Sequence, residues 1–266
     1  MKKVILLTGC INPNGMVYTA LNNIEERKEQ YVNAINFYLK ETCLPIVFTE
    51  NSGTDISTLF QDSIDSGRLE CLSYLGNQNK EKGKGYGEAE IIEFTLNNSR
   101  FIDDNSIVIK ITGRLIINNV SSILKHLNKH CDFVSCQFHS DLKFADSRII
   151  CASKSFYKFF LHFKNRINDN EGVYFENVLC EAIIHSSIRY VPFDIEPNIS
   201  GMSGSTGEMY FIKENRFKDK CLYKCYALKQ LLTINEKTHH RDLNKWGVIQ
   251  TTISLLWYRA LVKLFF

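Results

Sequence analysis

The sequence predicts an α/β protein: a mostly parallel sheet flanked by helices, with a basic helical tail. Three observations carry that prediction. A continuous apolar run, Val4-Ile5-Leu6-Leu7, closes on Thr8-Gly9, as a strand buried on both faces does. Strand-like and helix-like stretches then alternate along most of the chain. Finally, 44% of the 266 residues are hydrophobic and 23% charged, which suits a globular chain and excludes disorder, collagen and a polytopic membrane protein.

The elements follow in order. A turn cluster, Asn12-Pro13-Asn14-Gly15, precedes residues 25–39, where charged residues stand opposite Tyr31, Ile35, Tyr38 and Leu39; the spacing predicts an amphipathic helix. Residues 45–49 read as a strand, 54–66 as a helix and 69–75 as a strand. Past a glycine cluster at 83–87, the pattern predicts a helix over 88–97, a buried β-branched strand over 106–111, a helix over 121–130, and strands over 132–138 and 148–152. Helices over 155–163 and 174–185 and a strand over 188–191 complete the body. Residues 195–208 contain Gly201-Met-Ser-Gly-Ser-Thr-Gly207 and show no apolar periodicity. They predict a mobile loop, either a lid over a site or a solvated connection. The chain therefore divides into a body over 1–194, a Gly/Ser-rich loop over 195–212 and a tail over 213–266.

Charge separates the tail from the body. Residues 213–266 hold 11 Lys and Arg against 4 Asp and Glu, a net of +7 within a chain of +3, which leaves the first 212 residues at −4. Such a tail points to an anionic surface touched at one end, a membrane in particular, rather than to nucleic acid; a solvated basic helix is the plainer reading. As a helix, residues 248–266 are apolar nearly all round except for a strip of Thr252, Arg259 and Lys263. Two cations argue against a span, and Trp257, Tyr258, Phe265 and Phe266 suit a helix lying at headgroup level. A helix docked on its own core or in a homo-oligomer interface is the alternative. Nine cysteines without a disulfide rhythm, and no secretory leader, point to a reducing, cytoplasmic compartment. Cys221, Cys225, His239 and His240 lack the spacing of a zinc site.

In an open parallel sheet, ligands bind beyond the carboxyl ends of the strands. The residues to weigh are therefore Thr8 and Gly9, Glu50 and Asn51, the cluster Gly83-Lys84-Gly85-Tyr86-Gly87-Glu88, and Lys110-Ile111-Thr112-Gly113-Arg114. They match neither a Walker loop nor a dinucleotide fingerprint, and the chain has no nucleophile elbow. What remains is a glycine loop with Lys84 running into a helix headed by Glu88, and a buried strand ending in Lys110 and Arg114. Glycine lets backbone approach a ligand, and a guanidinium grips phosphate in a fork. Together with Gly85, Gly87, Thr112 and Gly113 these residues predict a site for a diphosphate or other anionic donor. A structural Arg114–Glu88 ion pair above a plain turn is the competing reading.

The order of elements, the stretch Lys84-Gly-Tyr-Gly-Glu88 opening a helix, and the strand ending Lys110-Ile-Thr-Gly-Arg114 resemble bacterial glycosyltransferases of GT-A-like, Rossmann-like fold that build lipopolysaccharide or capsule chains. The resemblance covers roughly residues 4–191. It implies a nucleotide-sugar donor, a glycan or lipid-linked acceptor, and a place at the inner face of the cytoplasmic membrane. It also implies a divalent cation, Mn or Mg, held by an Asp-x-Asp motif. Here the Lys-Ile-Thr-Gly-Arg run stands in that place, and Asp103-Asp104-Asn105 lies at the strand's other end as a turn. No metal ligand is assigned, and Lys84, Lys110 or Arg114 is expected to meet the charge of the departing phosphate. The resemblance places the base on the helix after the central strands. Glu176 is the first candidate and Asp146 the second, although Glu176 also reads as a helix N-terminal acid and Arg148 stands ready to pair with Asp146. His139, His162 and His185 have weaker claims. A noncatalytic nucleotide-binding module and a sugar nucleotidyltransferase are the alternative functions.

Overall fold

The computed structural model describes residues 1–15, 21–76, 78–127, 132–139, 141–204, 206–211 and 217–238. Strand β1 (Lys3–Gly9) is the apolar run, and its side chains alternate between two cores: Val4 and Leu6 on one side of the sheet, Ile5 and Leu7 on the other. Both faces are covered, which is why the strand reads as continuously hydrophobic. Helix α1 (Ile24–Glu41) is capped by Asn23, whose side chain accepts from the Glu26 N–H at 3.2 Å, and it buries Arg27, Tyr31, Ala34, Ile35 and Tyr38 along one stripe. Strands β2 (Ile46–Glu50), β3 (Leu69–Ser73) and β4 (Ile107–Thr112) align parallel with β1 in the order β3-β2-β1-β4. The register sets Gly9 beside Glu50 and Thr8 beside Thr112, so the strand ends share one edge.

Between these strands two expectations shift. The helix expected over 54–66 is a 3-10 turn, Ser57–Phe60, leading into the short α2 (Gln61–Asp65). Helix α3 (Lys84–Asn98) starts four residues before the expected 88, so the glycines form its first turn and not a loop ahead of it. The remaining elements are β5 (Ile116–Ile117), α4 (Val120–His126), β6 (Phe133–Ser135), β7 (Ile149–Ser153), α5 (Lys154–Leu161), α6 (Phe175–His185), β8 (Arg189–Tyr190), β9 (Ile199–Met202), β10 (Met209–Tyr210) and α7 (Phe217–Thr238). Residues 128–130 of the helix expected over 121–130 lie outside the described residues.

The main sheet has seven strands in the order β3-β2-β1-β4-β7-β6-β8. It is mostly parallel, and β7 is the exception, antiparallel to both β4 and β6. The described residues of the connection from β6 to β7 contain no helix, and antiparallel neighbours need no crossover. Helices α3, α5 and α6 pack on one face, where Phe156, Tyr157, Phe160 and Phe175 are buried, and α1 and α4 cover the other. Each large apolar side chain buried this way contributes about 1.5–3 kcal/mol.

The stretch 195–212, expected as a mobile Gly/Ser-rich loop, carries β9 and β10, which pair with each other and, through β9, with β5. Its strand partner lies some 80 residues away, so no local periodicity marks it. Gly201 sits at φ 121°, and the Arg114 carbonyl lies 3.1 Å from where a Cβ would stand. Helix α7 docks on the β8 side of the sheet: Gln230 donates to the Phe138 carbonyl at 2.7 Å and accepts from Tyr190 at 3.2 Å. Residues 239–266, with His239, His240 and the helix expected over 248–266, lie outside the described residues. Among those described, no helix is long and apolar enough to cross a membrane.

Candidate active site

A cavity of about 470 Å³ opens at the carboxyl edge of β1 and β4. The end of β1 supplies Thr8 and Gly9, and the residue after β2 supplies Asn51. The first turns of α3 supply Lys84, Gly85, Gly87 and Glu88, and the end of β4 supplies Thr112 and Arg114. Across from them stand Asp146 and Glu176. Residues from distant parts of the sequence thus converge on one hollow.

Three of the expected donor-binding residues play other parts. Glu50 is fully buried and does not line the cavity. Its carboxylate accepts from the N–H groups of Ile11 (2.8 Å), Ser52 (2.9 Å) and Thr54 (2.9 Å), so it organises the loops that follow β1 and β2. Lys110 is likewise fully buried, beneath the cavity; its ammonium pairs with Glu88 and donates to the Ser147 carbonyl at 2.7 Å. Gly113 packs against β1: its N–H donates to the Thr8 carbonyl at 2.9 Å, and a Cβ would stand 2.6 Å from that oxygen.

Glycine in the first turn of α3 serves a protein carboxylate. Asp169, from the turn Asp169–Glu171, accepts from the Gly85 N–H at 3.1 Å, and a Cβ on Gly83 would lie 2.6 Å from its Cγ. Gly83 itself sits at φ 90°. Asp169 therefore meets one of the amides that a helix start leaves unpaired. Burial raises its carboxyl above the ordinary aspartate value, against the pull of the Gly85 amide and of Lys84.

The cations divide by partner. Arg27 is buried on the inner stripe of α1, where it donates to the carbonyls of Cys10 (2.9 Å) and Leu21 (3.0 Å) and holds the chain after β1. Arg148 grips Asp146 through Nε (2.9 Å) and Nη2 (2.5 Å) and lies 4.9 Å from the Tyr210 ring. Burial pulls that guanidinium down, but Asp146 outweighs it and holds it above its ordinary value. The fork occupies both oxygens of Asp146, so the second candidate base is an ion-pair partner. Arg114 has neutral partners: Nη1 donates to the Gln30 amide oxygen at 2.9 Å, the Met202 carbonyl lies 3.5 Å away, and the guanidinium stands 6.0 Å from the Tyr31 ring. The Arg114–Glu88 pair allowed by the sequence is not formed, since Glu88 bonds Lys110 and accepts from Thr8 Oγ1 at 3.0 Å. Lys84 is lowered from the ordinary lysine value by burial, which outweighs the opposing pull of Asp169, Glu176 and Glu88.

Glu176, in the first turn of α6, faces the cavity. Ser147 Oγ donates to its Oε1 at 2.6 Å. Burial raises its carboxyl above the ordinary glutamate value, and the Ser147 bond only partly offsets this. It is not the solvated helix-terminal acid that the sequence also allowed. His139 is in the cavity wall, its ring centroid 5.0 Å from that of Phe144, while His162 and His185 do not line it.

The sequence alone did not mark Arg27, Tyr31, Ser147, Asp169 or Tyr174 as site residues, whereas Met202–Gly204, part of the wall, fall in the stretch expected as a lid or a solvated connection. Arg27 left a signal, a cation on the same helical stripe as Tyr31, Ile35 and Tyr38. Asp169 left none, because nothing local ties it to a glycine 84 positions away.

A divalent ion does not fit the end of β4. The charged side chain on the last residues of β4 is an ammonium, and the acids described in the cavity have partners: Glu88 bonds Lys110, Asp146 bonds Arg148, Asp169 bonds the Gly85 amide and Glu176 bonds Ser147. Among the described residues no group of three or more His, Cys, Asp or Glu is placed to hold a metal.

No protein-family model matches the chain, and neither does any curated protein. Among solved structures it is similar to a protein assigned as a nucleotide-diphospho-sugar transferase from Desulfovibrio desulfuricans G20, at 10% identity and a TM-score of 0.42 over 73% of this chain and 80% of that one. It is also similar to the inositol-1-phosphate CTP transferase from T. maritima, at 14% identity and 0.42 over 73% and 85%. A third likeness is to the galactosyltransferase LgtC, solved with donor and acceptor sugar analogs, at 8% identity and 0.40 over 66% and 69%. No residue's role is carried across at these identities.

Proposed function

We propose that the chain is a glycosyltransferase that moves a sugar from a nucleotide-activated donor to a glycan or lipid-linked acceptor. One observation carries the reading: Lys84 and Arg114 share a cavity at the carboxyl edge of a parallel sheet with Glu176, a carboxyl that is raised and faces them across the hollow. The contacts of Arg114 are neutral groups, so the positive charge of its guanidinium is available to a phosphate. The acceptor hydroxyl attacks the anomeric carbon, its proton passes to Glu176, and the bond from the anomeric carbon to the phosphate oxygen breaks. The electron pair leaves with the nucleotide, where Arg114, aided by Lys84, stabilises the developing charge. Asp146, locked by Arg148, orders the wall. The basic tail would bring the enzyme to an anionic membrane surface and a lipid-carried acceptor.

The test is a thermal-shift panel of UDP, GDP, CMP and TDP sugars, followed by turnover of the sugar that raises Tm. Arg114→Ala is expected to lose about 10²–10³-fold in turnover while keeping its circular dichroism. Wild-type turnover in that variant overturns the reading. Formation of a nucleotide sugar from a nucleoside triphosphate and a sugar phosphate would make the chain a nucleotidyltransferase, and tight binding with no turnover would make it a noncatalytic module.

A further inference from the structure

Lys110 is a buried cation that the proposed chemistry leaves unused. Its side chain is wholly enclosed, and its three N–H donors all have acceptors: the Glu88 carboxylate, the Ser147 carbonyl at 2.7 Å and Thr112 Oγ1 at 3.5 Å. An ammonium so satisfied has no donor left for a ligand. Its contacts nevertheless run on. Glu88 accepts from Thr8 Oγ1 at 3.0 Å, and Ser147 donates from Oγ to Glu176 Oε1 at 2.6 Å. A chain of polar groups thus passes beneath the cavity from the end of β1 to the start of α6, with Lys110 at its centre.

We propose that Lys110 and Ser147 are positioning residues for Glu176: the buried ammonium fixes the Ser147 carbonyl, and the Ser147 hydroxyl then holds one carboxylate oxygen while the other serves the cavity. The inference rests on the reading of Glu176 as the base. A fixed hydrogen bond to one oxygen selects a single rotamer and favours the ionised form that can take a proton. The groups that face Glu176 are Ser147 from the segment before β7, Lys110 from β4, and Glu88 and Lys84 from α3. Lys110 and Lys84 favour the ionised carboxylate, as the Ser147 hydroxyl does, while burial and Glu88 oppose it. Lys110 also steadies residues 146–148, which carry Asp146 and its partner Arg148.

The experiment needs no substrate. The carboxyl carbon of Glu176 is followed by NMR against pH in the full chain labelled at glutamate, its signal assigned by its loss in Glu176→Gln. Ser147→Ala is expected to move the titration midpoint upward by about 0.5–1 pH unit, and Ser147→Thr, which restores the hydroxyl, to bring it back. Lys110→Gln keeps a donor and drops the charge, and it is expected to raise the midpoint as well. Should Ser147→Ala be too unstable to measure, Ser147→Cys places a weaker donor at the same spot and is expected to give a smaller upward shift. A midpoint unmoved in the serine and lysine variants overturns the proposal and leaves the transferase reading standing. Failure of every nucleotide sugar to raise Tm would overturn that reading without bearing on the titration.

Discussion

The two halves of the main sheet furnish the cavity differently. In the parallel half, β3-β2-β1-β4, the chain steps outward from β1 to β2 to β3 and α3 then carries it back across to β4 beside β1, so the strand ends converge by register. This half provides Lys84, Arg114 and the polar rim of Thr8, Asn51 and Thr112. Beyond β4, the strands β6 and β8 and those of the small sheet β5-β9-β10 are short, and β4 with β7 and β5 with β9 pair across some 40 and 80 residues. That half provides Asp146, Asp169 and Glu176, three of the four carboxylates that line the cavity among the described residues. Arg27, Lys84 and Arg114 thus come from the half built by regular alternation, together with Glu88, whereas Asp146, Asp169 and Glu176 come from the half assembled by distant contacts, together with Arg148. The halves are joined beneath the cavity by Lys110 to Ser147, 37 residues apart, and at its side by Gly85 to Asp169, 84 apart.

Breaking the first joint should have the largest effect. Lys110→Met leaves Glu88 with an uncompensated charge at the cavity floor and is expected to cost about 3–5 kcal/mol of stability in urea unfolding. Adding Glu88→Leu should recover much of that loss, because replacing both members of a buried pair is far milder than removing one. A single variant within about 1 kcal/mol of wild type would show that the halves do not depend on this cation.

The second joint should matter less. Gly83→Ala places a methyl group against Asp169 and asks an L-residue to adopt φ 90°. A loss of about 1–3 kcal/mol is expected, measurable as a lower midpoint of denaturation. Unchanged stability would mean that the Asp169 turn is not pinned to α3.

The smallest effect sharpens the comparison at Glu176. Its folded-state pKa is raised above the unfolded value, so the native state holds the extra proton across the interval between them. Stability therefore falls as pH rises through that interval, and the loss persists above it. Glu176→Gln, which never ionises, should match wild type below the interval and exceed it slightly at about pH 7, while losing transfer. Thermal melts of the two proteins across pH would show this, and parallel curves would contradict the raised value.

How much of this could be read in advance follows the same division. Val4 to Leu7 declared β1 because a strand covered on both faces must be apolar throughout, and α1 declared itself by its stripe. Lys84, Arg114, Asp146 and Glu176 were legible as chemistry-bearing residues beside predicted element ends, and the tertiary structure brought them to one hollow. Lys110 and Glu50 misled because a charged residue at a strand end looks the same in sequence whether it meets a ligand or its own neighbours. The glycines at 83–87 signalled a close approach, and the group approaching is Asp169. Strands β9 and β10 were hidden by a glycine-rich composition without period, since their pairing is with β5 and each other.

By itself the sequence determined the class of fold, the edge of the sheet where a site would lie, and the kinds of side chain available there, because hydrophobic period and local backbone preference act over a few residues. Only the tertiary structure decided which charges are spent on one another and which face the cavity. An ion pair such as Lys110 with Glu88, or a fork such as Arg148 on Asp146, depends on distances of a few ångströms between packed elements, and spacing along the chain does not encode them.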